Sequence, residues 1–458
     1  MQNLIHGLES RPPLGVTLLA AVQHLLGVFV SVATVPLLIS LGMGLSAADA
    51  AYMVSASLVV SGVATLIQVT RPGPLGAGLL SVQGTSFAFV GPFIYLAGQD
   101  PSGAATPSAD WLGALFGSAA LCSILIMVLS RGLHVLGRIV TPVVTGSTIA
   151  VIGASLTLVT VDNMLRVHDG AVAANEPLWI PWGLFLAVVA AIVAVMISGR
   201  SALRVNAVFV GLGVGTVLAL ALGAVAVPAE EARAIVFLVE PLRWPLSVDL
   251  AVVTVLFPIF MVSAVESVGD LTATAALSGR PVTGDEYWQR LRGGIFGDGF
   301  NSLLASFCCT FPNTTFSQNN GVIRVTGIAS RKVGVALALM LVALGTLPQV
   351  AQWFLLLPEA VLNGVTGVMF FMVGIAGVAI LRERGTGRRG YLIAALTVIS
   401  SVGLSRLSPH MDGWPELVRR MLDFPIASAV LFAILFDQVL PSERDKLAEE
   451  DQGDHVDG

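Results

Sequence analysis

FSQNNGVIRVTG (Phe316–Gly327) is the stretch that decides the fold, because it places a Gln, two Asn, an Arg and two Gly in a chain that is 55% hydrophobic. Apolar runs of about 20 residues, the length that crosses a bilayer core, recur along almost the whole sequence. Of the 458 residues, 12% are charged, about half the fraction usual in soluble domains. The chain is therefore predicted to be an all-α polytopic membrane protein, with this polar segment where a span is due.

A second polar segment, SVQGTSFAFVGP (Ser81–Pro92), resembles the first. In a count of fourteen apolar segments the two are the third and the tenth, so each is the third of seven. An odd number of spans in each half inverts the second half relative to the first. Paired interrupted segments at matching positions are typical of the binding site of transporters built from inverted repeats. We therefore predict 14 transmembrane segments in two inverted seven-span repeats, with segments 3 and 10 broken.

The distribution of positive charge predicts the orientation. Most of the 24 Lys and Arg residues fall in the loops on the side of the N-terminus, which the positive-inside rule places in the cytoplasm. Both termini are then cytoplasmic, in a multi-pass protein of the inner (plasma) membrane. The first apolar run is too long for a signal peptide and is interpreted as a retained span.

Non-helical backbone at membrane depth has to be buried in protein, because lipid cannot pair its N–H and C=O groups. We interpret Phe311–Gln318 and Leu79–Gly84 as short extended strands that could pair with each other. Each would lead into a half-helix, near Asn319 and near Thr85, whose N-terminal N–H groups suit carbonyl oxygens or an anionic ring. The Gln318 amide adds one donor and one acceptor.

Few ionisable residues lie within the apolar segments, and such residues are usually functional because of their cost in the bilayer. The carboxylates are Glu266 and Asp270, which share one helix face at an i, i+4 spacing, and Asp298. Two alternatives stay open: Asp270 could pair with Arg280 at a helix end, and His24 could be a packing residue. Arg324 is expected in a solvated or headgroup position.

Other classes of function are disfavoured. The three cysteines and the histidines show no metal-ligand spacing, so no cofactor and no metal are expected. The sequence contains no HExxH or GxSxG motif, and neither Asp270 nor Asp298 lies in the GxGD motif of an intramembrane protease. We therefore predict that the protein is not an enzyme. The net charge of −5, spread over loops and the acidic tail, suggests no nucleic-acid partner.

QNNGVIRVTG (Gln318–Gly327) resembles the signature of the purine branch of the nucleobase–ascorbate transporters, and Gln318 is typical of their xanthine and uric acid permeases. Further motifs similar to that family follow along the chain: QHLLGVF from Gln23, SVQGTSF from Ser81, PVVTGS from Pro142, ESVGD from Glu266 and FGDGFNS from Phe296.

The resemblance implies a core domain, a gate domain and a homodimer that works by an elevator-like motion. The core would comprise residues 1–130 (spans 1–4) and 246–353 (spans 8–11), the gate 131–245 (spans 5–7) and 354–440 (spans 12–14), followed by a cytoplasmic tail, 441–458. It also implies roles for individual residues. The substrate-binding residues would be Glu266, Gln318, Phe87, Ser317, Ser86 and Asn319, and the proton-coupling residues Asp298, Asp270 and His24.

The function predicted from the sequence is proton-coupled import of xanthine, uric acid or both. Xanthine and urate present alternating N–H and C=O groups, which a carboxylate, an amide and free helix N–H groups can pair. A symporter for uracil or another nucleobase is the alternative. Sulfate-type anion exchangers share the repeat plan without needing the QNNG signature, and a channel is a minor alternative.

Overall fold

The structure is a computed structural model that describes residues 4–104, 106–133, 141–200, 203–204, 206–225, 237–383, 387–407, 422 and 425–440. The tail predicted for residues 441–458 lies outside them. The first half contains the helices α1 (Leu14–Gly42), α2 (Ala47–Thr70), α3 (Val90–Ala97), α4 (Ala109–Leu129), α5 (Pro142–Ala173), α6 (Trp179–Ile197) and α7 (Ala207–Ala221). The second half contains α8 (Leu250–Leu277), α9 (Gly284–Phe307), α10 (Gln318–Thr326), α11 (Arg331–Gly345), α12 (Pro348–Leu355), α13 (Glu359–Glu383), α14 (Gly387–Leu407) and α15 (Pro425–Val439). Strands β1 (Gln83–Thr85) and β2 (Asn313–Thr315) precede α3 and α10, and 3₁₀ turns occupy Phe87–Phe89 and Ser130–Gly132.

Many of these helices can cross a membrane. Within the described ranges, seven are long and apolar enough to do so, or eight if α11 and α12, bent by 71° at their junction, form one span. In the sequence, one predicted span, Val333–Trp353, covers most of both helices, and this bend was not predicted. The break coincides with Pro348 at the start of α12, which cannot continue the preceding helix.

The chain divides into two compact units. One comprises the described parts of Met1–Leu133 and Leu156–Met369, and the other those of His134–Ser155 and Phe370–Gly458. The first unit holds both strands, α1–α4 and α8–α12, and therefore every residue of the predicted site.

Close helix packing organises the first unit. A Cβ atom added to Gly62 of α2 would come within 2.7 Å of the Ala338 carbonyl oxygen of α11, and one added to Gly345 within 2.7 Å of the Val59 backbone nitrogen. The two helices therefore approach each other through their backbones, which small residues permit in membrane proteins. Because α2 belongs to the first half of the chain and α11 to the second, this contact joins the two halves.

The strands β1 and β2 pair antiparallel in the interior. Gln83 pairs with Thr315, Gly84 with Thr314 and Thr85 with Asn313, and all these residues are buried. Gly84 is required at the centre, because an added Cβ would lie 2.7 Å from the Phe316 ring. The predicted pairing of two short strands in the broken segments is thus confirmed.

Side-chain hydroxyls from the surrounding helices hold the strands in place. The Ser57 and Thr85 hydroxyls are 2.9 Å apart, and the Gln83 backbone N–H donates to the Thr65 hydroxyl at 3.0 Å. On β2, the hydroxyls of Ser263 and Ser267 in α8 lie 3.1 and 2.9 Å from that of Thr314. The Ser302 hydroxyl of α9 bridges the Asn313 backbone, donating to its carbonyl oxygen at 2.9 Å and accepting from its N–H at 3.1 Å. We call this set of hydrogen bonds the hydroxyl clamp.

The second unit has an ion pair of its own. The Arg389 guanidinium donates to the Asp437 carboxylate at 2.7 Å, and the Thr141 hydroxyl donates to the other carboxylate oxygen at 2.6 Å. Asp437 therefore joins α15 to α14 and to the start of α5.

Candidate functional site

Several helices of the first unit surround the strand pair. Helices α1 and α2 contact β1, helices α8 and α9 contact β2, and α10 and the 3₁₀ turn that leads into α3 contact α8. Each strand is three residues long, which separates the N-termini of the two half-helices by on the order of 10 Å. The N-termini of both half-helices therefore lie close to the strand pair.

Glu266 and Gln318 are the two polar side chains that this arrangement leaves available. Both are half-buried, Glu266 on α8 and Gln318 at the first position of α10, and α8 packs against α10. Among the described residues, neither the Glu266 carboxylate nor the Gln318 amide makes a hydrogen bond or an ion pair. A carboxylate accepts hydrogen bonds and an amide both donates and accepts them, so the two groups have the chemistry to pair with a planar polar ring.

Asp298 lies behind the strand pair and is 5% exposed. It accepts a hydrogen bond from the Gln68 amide at 2.5 Å, and the Thr315 hydroxyl is 3.5 Å from both of its oxygens. The Gln83 amide in turn donates to the Thr315 hydroxyl at 2.9 Å. These contacts link Asp298 to both broken segments.

Asp270 lies between the other carboxylates, close enough to Glu266 and Asp298 to interact electrostatically with both. Its Oδ2 atom is buried without a hydrogen-bond partner among the described residues. Arg280 instead lies 3.7 Å from Glu9 and 3.8 Å from Glu286. The alternative in which Asp270 pairs with Arg280 is therefore not supported.

Asn319 and His24 are neighbours and are both fully buried. The Asn319 amide donates to the Leu80 carbonyl oxygen at 2.5 Å, which ties the start of α10 to the segment before β1. Within the described ranges, neither ring nitrogen of His24 nor the Asn319 Oδ1 atom has a partner in hydrogen-bonding geometry. Asn319 therefore organises the turn, and His24 is a buried polar group of α1 beside it.

The remaining predicted residues flank the start of each half-helix. Ser86 caps the 3₁₀ turn, with its hydroxyl accepting from the Ala88 N–H at 3.2 Å. Phe87 is buried, whereas Ser317, which precedes α10, is exposed. Arg324, at the far end of α10, is exposed, as expected from the sequence.

Gln68 and Asn320 are parts of the site that the sequence prediction missed. Gln68 is fully buried and contacts three different groups around Asp298. The Asn320 amide joins α10 to α8, accepting from the Thr274 hydroxyl at 2.6 Å and donating to the Asp270 carbonyl oxygen at 3.3 Å. Both are uncharged amides, which a search for ionisable residues overlooks; a polar Gln near the end of the apolar α2 was the available signal.

Comparison with known sequences decides the family. A model of the Permease family matches residues 15–409. The chain belongs to this family, the nucleobase–ascorbate transporters indicated by the motifs. The family consists of permeases, so the prediction of a transporter and not an enzyme is confirmed.

Several curated members of the family are similar over most of their length. The chain is 39% identical over 446 residues to the xanthine permease XanP of Escherichia coli (strain K12), covering 96% of both proteins. It is 35% identical over 443 residues to the xanthine permease XanQ of the same strain, covering 96% of this chain and 94% of that one. A uric acid-xanthine permease of Emericella nidulans is 29% identical over 481 residues, covering 96% and 84%.

Solved structures of other transporters share the fold of this permease. The transmembrane domain of a cyanobacterium bicarbonate transporter, BicA, superposes with a TM-score of 0.59 at 15% identity, covering 91% of this chain and 97% of that one. The murine Slc26a9 anion transporter in the inward-facing state gives a TM-score of 0.58 at 13% identity, covering 93% and 69%. At this identity the likeness concerns the fold alone. The predicted helical, inverted-repeat membrane fold is confirmed, and the count of fourteen spans stays a prediction.

Proposed function

We propose that this permease imports xanthine, uric acid or both together with protons. The observation that carries the proposal is the pair of half-buried groups, Glu266 and Gln318, which have no partner among the described residues and lie on packed helices beside two half-helix N-termini. Identity of 35–39% to two xanthine permeases supports the choice of substrate class.

Recognition follows from the hydrogen-bonding groups of the site. The Glu266 carboxylate would accept from ring N–H groups, and the Gln318 amide would pair one N–H and one C=O of the purine. Backbone N–H groups near Ser317 and Phe87 would hold the remaining carbonyl oxygens, with the Phe87 ring as a stacking surface. A ring whose N–H and C=O groups do not match these side chains would leave a buried polar group without a hydrogen bond. The unpaired group costs about 1–3 kcal/mol of binding free energy, so such a ring is bound more weakly and is rejected.

Proton coupling is assigned to the carboxylates behind the substrate. Asp298 is buried and linked through Thr315 to the strand pair, so its charge state affects the same backbone that carries the half-helices. Asp270 and His24 support this group from α8 and α1. Moving one charge across the membrane supplies about 2.3 kcal/mol per 100 mV, enough for useful accumulation.

Transport would proceed by an elevator-like motion of the core domain against the gate domain, with the boundaries given by the sequence. The protein would reside in the inner membrane as a homodimer with cytoplasmic termini.

Uptake of radiolabelled xanthine and urate into proteoliposomes tests the proposal. We expect uptake that requires an inward proton gradient and is inhibited by unlabelled purine but not by uracil. If uracil is taken up and neither xanthine nor urate is, the assignment of Gln318 as a purine-binding residue is refuted. Purine equilibration without dependence on the gradient would refute the coupling role of Asp298.

A further inference from the structure

A small cavity lies beside Asp298, between α8, α9 and the strand β2. It has room for about one water molecule. Its polar lining comes from Asp298, Asn313, Ser263 and Ser302, and its apolar wall includes Ile126 and Phe260. Of the residues predicted to bind substrate or couple protons, Asp298 is the one that lines this cavity.

Asn313 lines the cavity with a side-chain amide whose hydrogen bonds are missing among the described residues. Its backbone N–H and C=O groups are both engaged by the Ser302 hydroxyl of α9. Its side chain is 3% exposed, and neither the amide nitrogen nor the amide oxygen has a hydrogen-bond partner among the described residues. Buried amides are almost always hydrogen-bonded, because an unpaired polar atom costs about as much as the bonds it lacks.

The geometry of β2 directs Asn313 toward Asp298. Residues two apart on a strand share a face, so Asn313 lies on the same face as Thr315, which contacts Asp298. Thr314, on the other face of β2, is within hydrogen-bonding distance of Ser263 and Ser267 of α8, and Ser263 also lines the cavity. Asp298 therefore has the Gln68 amide on one side and the cavity with the Asn313 amide on another.

We propose that one ordered water molecule occupies this cavity and bridges the Asn313 amide to the Asp298 carboxylate. A water in such a site needs two to four polar partners, and Asn313, Asp298 and the two serine hydroxyls provide them. Asn313 is then a positioning residue: through the water it fixes the orientation of the carboxylate that couples protons. The role of this orientation in transport rests on the proposed function, whereas the water site itself does not.

The direct test is an experimental structure of the full-length protein in lipid nanodiscs at a resolution that shows ordered waters. We expect a density peak within hydrogen-bonding distance of both Asn313 and Asp298. A cavity without such a peak would refute the proposal, whatever the protein transports.

Substitution of Asn313 separates the water bridge from simple packing. Asn313→Leu keeps most of the side-chain volume but fills the cavity with an apolar group, whereas Asn313→Ser removes volume and leaves polar space for water. If Asn313 served packing alone, Leu would be tolerated better than Ser. If it holds the water, Ser retains proton-driven uptake within about threefold, and Leu loses about tenfold or more, the range expected for a lost hydrogen bond to a charged group.

Substrate counterflow, the exchange of labelled for unlabelled xanthine without a proton gradient, is measured in parallel with proton-driven uptake. It reports substrate binding and translocation separately from proton coupling. We expect Asn313→Leu to keep counterflow while it loses proton-driven accumulation. A matched control is Asn301→Leu, which makes the same change at a buried Asn of α9 that does not line the cavity. Equal losses of accumulation in the Asn301 and Asn313 leucine variants, or better uptake with Leu than with Ser at position 313, would overturn the proposal.

Discussion

Replacing Gln68 with Leu tests the hydrogen-bond network that holds Asp298. The Gln68 amide nitrogen donates to the Gly294 carbonyl oxygen at 2.8 Å and to the Asp298 carboxylate at 2.5 Å. Its side-chain oxygen accepts from the Ala77 N–H at 2.8 Å. Leu is close to Gln in size but makes none of these bonds. The substitution therefore removes the network with little change in volume.

The expected loss of stability follows from the groups left behind. The Gly294 carbonyl oxygen and the Ala77 N–H would lose this partner in the interior, at about 1–3 kcal/mol each. Asp298 would lose a charge-assisted hydrogen bond worth about 1.5–3 kcal/mol. Burial of the Leu side chain returns about 1.5–3 kcal/mol. We expect a net loss of about 4 kcal/mol and an apparent Tm lower by roughly 4 °C, because the unfolding entropy of a chain of this length is about 1 kcal/mol/K.

The assay is heating of the detergent-solubilised protein followed by fluorescence-detected size exclusion, with xanthine uptake measured in parallel. Gln289→Leu, at an exposed position of α9, is the matched control and should leave the apparent Tm and the xanthine uptake unchanged. We expect Gln68→Leu to lower the apparent Tm and to reduce proton-driven uptake. A Gln68→Leu variant with the Tm and uptake of the wild type would show that these hydrogen bonds do not hold the site.

Four further outcomes are expected. Glu266→Gln should lower xanthine affinity by about 10- to 100-fold, measured by isothermal titration calorimetry, since charge-assisted bonds to the ring are lost; wild-type affinity would remove Glu266 from the site. Gln318→Ala should raise the KM for xanthine uptake by about tenfold without changing the amount of protein in the membrane, as checked by quantitative immunoblot. Gly62→Val should destabilise the protein by at least about 1–3 kcal/mol, seen as a lower apparent Tm, because its side chain meets the α11 backbone. Asp437→Asn should lower the apparent Tm by an amount that corresponds to about 1–3 kcal/mol, less than for a fully buried pair because its partner guanidinium is 21% exposed, and it should leave xanthine affinity unchanged.

The broken segments could be predicted from the sequence because their chemistry is local. Thr and Phe before a Gln favour extended backbone, and Asn-Asn-Gly favours a turn into a helix. The structure places β2 at Asn313–Thr315 and starts α10 at Gln318, within the interval predicted. In β1 the strand continues to Thr85 and the turn begins at Phe87, slightly later than predicted.

Other features could not be predicted because they depend on contacts between distant residues. Gln68 and Asp298 are 230 positions apart, and no local pattern shows that the amide of one meets the carboxylate of the other. Helix α9 begins at Gly284 with a charged first turn, whereas the span predicted from the apolar residues was Gly293–Thr310 and missed that turn. The family resemblance supplied the predicted substrate-binding residues but did not describe what holds them in place.

The hydroxyl clamp explains how such short strands can define a site. An isolated pair of three-residue strands is not stable by itself, so its position is set by the helices that hydrogen-bond to it. Thr65 of α2 fixes Gln83, and Ser302 of α9 fixes Asn313. Because each half-helix begins within three residues of its strand, a displacement of α2 or α9 moves a helix N-terminus as well. In the proposed function, a change in the charge of Asp298, which lies one turn before Ser302, would therefore reach both half-helix N-termini through the backbone that the hydroxyl clamp holds.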